Sequence, residues 1–362
     1  MIKIPLYRPW LGGREKEYVM DCIDTTWISS KGKYVDLFEG AFAEYVGAPH
    51  AASVCNGTVA LHVALLALGI GEGDEVIVPT FTYVASVNAI TYTGAKPVFC
   101  DSIKDTWQIN PVDVEKKITN RTRAIMAVHL YGHPCDMDSL SKLAHKHNLY
   151  IIEDCAEAVG SRYKGQHVGT FGDVACFSFF GNKTITTGEG GIVLTSDASI
   201  DQRIRKLKGQ GLSDVREYWH DVVGYNYRMT NICAAIGLAQ IERVDDILDQ
   251  KLRIASLYAN KLKSLPVMFH QPVGDVVHSY WICSILTKGA DICNATRKAL
   301  ANAGVETRPL FPPIHLMPIY HGKSGDFPIA EDISSRGFNL PSYPELTEKN
   351  IDYIVEIIKA VI

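Results

Sequence analysis

Residues 176–191 read CFSFFGNKTITTGEGG, and the abrupt change of character inside this stretch organises the whole chain. An apolar, strand-like run over 175–180 stops at Gly181, and Lys183 follows two residues later. Gly188, Gly190 and Gly191 then lead into a second strand-like run over 191–195. The two runs read as neighbouring strands of one sheet, with the glycines letting the backbone bend closely between them. A lysine in such a turn is either a solvated loop residue or a held nucleophile. Its amine attacks only when desolvation or a neighbouring cation favours the neutral form.

Outward from there, Val/Ile-rich runs at 76–78, 97–100, 124–128 and 149–152 alternate with helical patterns. Between the last two lies DMDSLSKLAHKHN, with Leu140, Leu143 and Ala144 on one helical face and Asp136 or Asp138 placed as a cap. Short buried strands alternating with helices predict an α/β domain built on a mostly parallel sheet. From residue 234 the apolar spacing becomes that of one long helix, followed by strand- and helix-like segments of a smaller α+β domain. The expected division is therefore residues 1–233 and 234–362.

Composition narrows the function. The chain has 362 residues, 47% of them hydrophobic, which supplies a sizeable core and argues against wholesale disorder. A net charge of −4 gives no basic footprint for nucleic acid, and no apolar stretch is long enough to span a bilayer. The first residues, MIKIPLYRPWLGGREKEY, contain no secretory apolar core. Nine scattered cysteines without a CxxC pair read as reduced thiols, so a cytoplasmic location is expected. No HExxH motif occurs and metal chemistry is not indicated.

Three short segments carry chemistry. In SVCNGT a polar Asn56-Gly57-Thr58 cluster opens an apolar helix. Such a start either holds a phosphate on its free amides or is an ordinary cap supplied by Thr58. In IIEDCAEA, Asp154 falls at the end of an apolar strand, where open α/β sheets bind ligands; a helix cap is the plainer reading. Ser178 and Lys183 complete the set. A phosphate-suited helix start, a strand-end carboxylate and a lysine in a glycine-bounded turn are together what pyridoxal 5′-phosphate requires: phosphate cradled, ring nitrogen kept protonated, aldehyde joined to an amine.

The wording of longer stretches then becomes informative. NGTVALHVALLALGIGEGDEVIVPTFTYVASVNAI, VHLYGHPCDM, EDCAEAVGS, GDVACFSFFGNKTITTGEGG and YWHDVVGYNYRMTNICAAIGLAQ resemble the DegT/DnrJ/EryC1/StrS family of nucleotide-sugar aminotransferases, in order and spacing, across essentially the whole chain. The resemblance implies the aspartate-aminotransferase-like (type I) fold. It makes Lys183 the Schiff-base lysine and Asp154 the partner of the ring nitrogen. It also gives Gly57, Thr58 and Ser178 to the phosphate, Tyr83 to the ring face and Glu157 to the neighbourhood of the ring hydroxyl. Asn226 in GYNYRM corresponds to a residue that reaches the phosphate of the neighbouring subunit, which implies a homodimer with shared active sites. Trp27 and Ser29 in WISSKG, and Arg308 and His315 in ETRPLFPPIH, correspond to loops near the substrate. Trp281 in SYWICSIL suits core and site equally. The wording of the lysine and GYNYRM motifs implies L-glutamate as amino donor and GDP-4-keto-6-deoxymannose as acceptor, for polysaccharide biosynthesis. The rival expectations are another 4-keto-6-deoxy sugar, such as the dTDP-glucose derivative, and a cofactor-binding regulator without turnover. Relatives that dehydrate sugars carry histidine at the position of Lys183.

Overall fold

The computed structural model describes residues 3–362. Its large sheet uses β1 (His50–Val54), β2 (Glu75–Pro79), β3 (Lys96–Cys100), β4 (Thr122–Val128) and β5 (Tyr150–Asp154). After a short hairpin of β6 (Arg162–Tyr163) and β7 (Gln166–His167) come β8 (Val174–Ser178) and β9 (Gly191–Thr195). The seven strands lie in the order β1-β9-β8-β5-β4-β2-β3. All pairs from β8 to β3 are parallel, and β9 is antiparallel to both β1 and β8. β9 alone is therefore reversed, and β8 with β9 is the pair expected from the opening stretch.

Helices α1 (Glu15–Asp24) and α2 (Lys33–Val46) precede the sheet, and α3 (Gly57–Ala67), α4 (Val84–Tyr92), α5 (Pro111–Lys117), α6 (Met137–His147) and α7 (Ala198–Lys208) are woven through it. Strand alternation sorts the two faces. Val76, Val78, Ala124 and Met126 share a core with α3 and α4. Ile77, Ile125 and Ala127 point the other way, into a core with Val114, Leu140 and Ala144. Both faces are covered, which is why these strands read as continuous apolar runs. Asp136 caps α6 by accepting from the Ser139 amide at 3.2 Å.

The expected long helix from 234 is two helices, α8 (Asn231–Ile241) and α9 (Val244–Leu262). Arg243 leaves helical geometry at φ −125°, ψ 15°. α8 is buried nearly all round against α1 and α2, and its Ala234, Ala235, Ala239 and Ile241 belong to the core of the large sheet. Val244 and Ile247 of α9 still join that core, whereas Ile254, Tyr258 and Leu262 join the next one. The division expected at 233/234 thus cuts a helix of the large domain, and the change of partner occurs inside α9. Apolar spacing could not reveal this, because it runs through the break without changing phase.

The smaller layer holds β10 (Met268–Phe269), β11 (Val276–Val277), β12 (Cys283–Leu286), β13 (Arg308–Pro309) and β14 (Gly337–Leu340), with α10 (Ala290–Asn302), α11 (Pro328–Arg336) and α12 (Glu348–Val361). Four of its strands form an antiparallel sheet, β10-β12-β14-β13, covered by α9, α10 and α12. β11 instead pairs with β6. Among the described residues no helix is long and apolar enough to cross a membrane.

Candidate active site

Strands β1, β2, β4, β5 and β8 all run the same way, so their carboxyl ends share one edge, where parallel sheets bind ligands. A cavity of about 560 Å³ opens there. It is lined just past β1 by Asn56, Gly57 and Thr58, past β2 by Thr82, Tyr83 and Ser86, and past β5 by Asp154 and Glu157. From β8 onward Ser178, Asn182 and Lys183 complete the wall. Seven of the twelve residues expected at the site therefore meet in one cavity.

The phosphate-suited end is built from Gly57 and Ser178. A Cβ on Gly57 would sit 2.7 Å from Ser178 Cβ and 2.9 Å from its Oγ, so only glycine lets α3 start this close to β8. The cap of α3 is Asn56, whose Oδ1 accepts from the Val59 amide at 3.0 Å, not Thr58. The amides of Gly57 and Thr58, in the first turn, have no helical acceptor and present a positive dipole end.

At the other end lies Asp154, buried at the tip of β5. Its Oδ2 accepts from Ser86 Oγ at 2.7 Å and its Oδ1 from the Ala156 amide at 3.1 Å. Burial raises its pKa, although these donors and the Lys183 charge oppose the rise. Beside it, Glu157 has its pKa pushed up to about 7, again by burial against the opposing Lys183 charge. Glu157 Oε2 accepts from the Tyr131 amide at 2.8 Å, and its Oε1 lies 3.6 Å from Lys183 Nζ. Lys183 is mostly enclosed, its side chain 13% exposed, so the reading of a freely solvated loop lysine falls away. Tyr83 is exposed toward the opening and packs on Phe311 with ring centroids 5.5 Å apart.

The other five expected residues lie outside this cavity. Trp27 and Ser29 are exposed, and the Ser29 carbonyl accepts from the Asn231 amide at 2.6 Å. Arg308 is exposed and pairs with Glu306 at 2.8 Å. Asn226 is exposed and bridges to Gly209. His315 is 1% exposed, with Nδ1 bonded to Thr80 Oγ1 at 2.7 Å and Nε2 to Glu331 at 3.2 Å. Both ring nitrogens are occupied inside the fold, so His315 links the residue after β2 to α11. Conversely, Ser86, Asn182, Glu189 and Phe311 line the cavity without having been expected there, and Trp281, which suited core and site equally, lines it as well. Ser86 had a readable signal: it lies three residues after Tyr83, hence on the same helical face.

Residues 9–359 match the DegT/DnrJ/EryC1/StrS aminotransferase family. The chain belongs to this family. GDP-perosamine synthase of Escherichia coli O157:H7 is 59% identical over 355 residues, covering 98% of this chain and 97% of the relative. GDP-perosamine synthase of Vibrio cholerae is 50% identical, with 98% of each chain covered. Among solved structures, Spr1654 of Streptococcus pneumoniae in its PLP form superposes with a TM-score of 0.95 at 28% identity, covering 99% of this chain and 98% of that one. DesV of S. venezuelae does so with a TM-score of 0.91 at 35% identity, covering 96% and 94%. The type I fold and the aminotransferase assignment implied by the motifs are thereby established, and the chain is a sugar aminotransferase.

Proposed function

We propose that the cavity binds pyridoxal 5′-phosphate and that the enzyme moves the amino group of L-glutamate to carbon-4 of GDP-4-keto-6-deoxymannose. The products are GDP-perosamine and 2-oxoglutarate. The observation that carries the cofactor reading is the meeting of Lys183, buried Asp154 and the Gly57–Ser178 cradle in one cavity. The sugar reading is supported by relatives at 59% and 50% identity that bear the name GDP-perosamine synthase.

The residues fit the group. A carboxylate buried as deeply as Asp154 is favoured in its charged form only opposite a cation, and a protonated ring nitrogen supplies one. Ser86 holds that carboxylate in orientation. The Gly57 and Thr58 amides and the Ser178 hydroxyl are donors spaced for a phosphate, and Tyr83 with Phe311 forms an apolar wall for a ring. When bound, the cofactor supplies an electrophilic carbon and a ring that accepts electrons from the substrate carbon. Lys183 would hold the cofactor through its amine, and that amine would be the group placed to move a proton at the substrate carbon. Glu157 lies 3.6 Å from that amine and is the residue that would stand beside the cofactor's ring hydroxyl.

Lys183 is the one cation lining the cavity among the described residues, against Asp154, Glu157 and Glu189. A cofactor phosphate and a sugar diphosphate need more positive and donor groups than that. A homodimer in which Asn226 of one chain enters the neighbour's site supports the need. Antiparallel bridges of Gly209 to Asn226 and Leu212 to His220 make a hairpin of residues 209–226, suited to burial because its Val215, Tyr218 and Val223 are exposed by 95%, 93% and 87%. Trp27, Ser29 and Arg308 are the proposed rim contacts to the sugar nucleotide, in a cytoplasmic enzyme of surface-polysaccharide synthesis.

Protein supplied with pyridoxal 5′-phosphate and glutamate alone should release 2-oxoglutarate stoichiometrically with active sites. Lys183→Ala should release none while retaining its far-UV circular dichroism. A fully active Lys183→Ala enzyme would sink the assignment.

A further inference from the structure

The turn that carries Lys183 lies between β8 and β9 and has no regular structure of its own. Its carbonyl groups are nevertheless held from outside. Trp281 Nε1, from the segment leading into β12, donates to the Asn182 carbonyl at 2.7 Å. The Tyr7 hydroxyl, from the N-terminal segment, donates to the Lys183 carbonyl at 2.5 Å. Burial pushes the Tyr7 phenol up, so its hydroxyl stays a donor. Two consecutive carbonyls flanking the reacting side chain are thus fixed by two aromatic donors distant in sequence.

Trp281 also meets the other end of the lysine. Lys183 Nζ lies 4.1 Å from the centroid of the indole ring, on the face whose negative potential attracts an ammonium. The indole is itself immobilised, 5% exposed and stacked on Tyr131 with the planes 7° apart. The amide of that same Tyr131 donates to Glu157, the carboxylate 3.6 Å from the amine. On the far side Tyr7 is backed by Lys251, whose Nζ lies 5.2 Å from the phenol ring and donates to the Ser342 carbonyl at 3.0 Å. Neither Trp281 nor Tyr7 needs to touch the substrate to do this.

We propose that Trp281 and Tyr7 are positioning residues for Lys183. Trp281 fixes the backbone ahead of the lysine and supplies the face on which its amine rests, and Tyr7 fixes the backbone at the lysine itself. The consequence concerns the amine. The indole and Glu157 together would define where that amine rests in the cavity.

The inference rests on Lys183 being the reacting amine, and the two claims fail separately. Full activity of Lys183→Ala overturns both; the following tests the clamp alone. In cofactor-free protein labelled with 5-fluorotryptophan, five indoles give 19F signals and Trp281→Phe assigns one of them. Lys183→Met should move the Trp281 signal further than the other four, and an unmoved signal overturns the contact. In the loaded enzyme, Trp281→Leu should lower kcat about 10- to 100-fold while KM for glutamate stays within about twofold, the pattern of a misplaced reacting group. Trp281→Phe restores a ring face without the N–H and should regain part of that loss. Tyr7→Phe deletes one hydroxyl, leaves the core filled, and should lower kcat several-fold. Wild-type kcat in folded Trp281→Leu overturns the proposal. Should that variant not fold, wild-type kcat in both Trp281→Phe and Tyr7→Phe does so.

Discussion

Glu157→Gln is expected to make the protein more stable above neutral pH and to leave it unchanged in acid. Burial lifts the Glu157 carboxyl from its ordinary 4.5 to about 7, even with the Lys183 charge and the Tyr131 amide favouring the ionised form. The folded protein therefore holds a proton that the unfolded chain releases from about pH 4.5 upward. Below 4.5 both states are protonated and nothing is lost. Between 4.5 and about 7 stability falls as pH rises, and above 7 the loss is complete. The gap of 7 − 4.5, at about 1.4 kcal/mol per pH unit, corresponds to about 3 to 4 kcal/mol. Glutamine never ionises and keeps an acceptor oxygen for the Tyr131 amide. For 362 residues the unfolding entropy is about 0.8 kcal/mol/K, so the difference converts to about 4 °C in Tm. The assay is scanning fluorimetry of cofactor-free wild-type and Glu157→Gln protein, at one concentration, at pH 5 and pH 8.5. The variant's Tm advantage should grow by about 3 °C between the two, since part of the loss is already present at pH 5. Parallel pH profiles would refute the burial argument.

Asp154→Asn keeps the Ser86 contact but removes the charge, and should lower kcat on the order of a hundredfold or more; steady-state assays with saturating cofactor check this. Gly57→Ala places a methyl within 2.7 Å of Ser178 and should weaken cofactor binding on the order of tenfold, read by titrating visible absorbance. Tyr218→Asp with Val223→Asp should convert dimer to monomer by light scattering and reduce activity with it; an unchanged mass would remove the hairpin from the interface.

The parts of the site that were legible in the sequence are those made by local chemistry. Lys183, Asp154, Ser178 and the Gly57 turn each sit at the carboxyl end of a strand, so an apolar run followed by one polar residue marks them. Their convergence then follows from the parallel sheet, which brings those ends to one edge. What could not be read is whatever depends on a contact between distant segments. Trp281 and Tyr7 reach the lysine turn from 99 and 176 residues away, and nothing in SYWICSIL or IPLYRPW marks a donor aimed at a carbonyl. The surroundings of His315 were hidden for the same reason: its partners Thr80 and Glu331 lie 235 and 16 residues away. The break between α8 and α9 was invisible because the apolar phase continues across Arg243 while the packing partner changes.

The most direct test of the substrate reading is to supply the enzyme, pyridoxal 5′-phosphate and 15N-glutamate with GDP-, dTDP- and UDP-4-keto-6-deoxy sugars in parallel. Mass spectrometry and 15N NMR then follow the label. The expected result is 15N on carbon-4 of the GDP sugar, with turnover of the dTDP and UDP sugars far slower. Efficient transfer to a dTDP or UDP sugar alone, or label that never leaves glutamate, would contradict it.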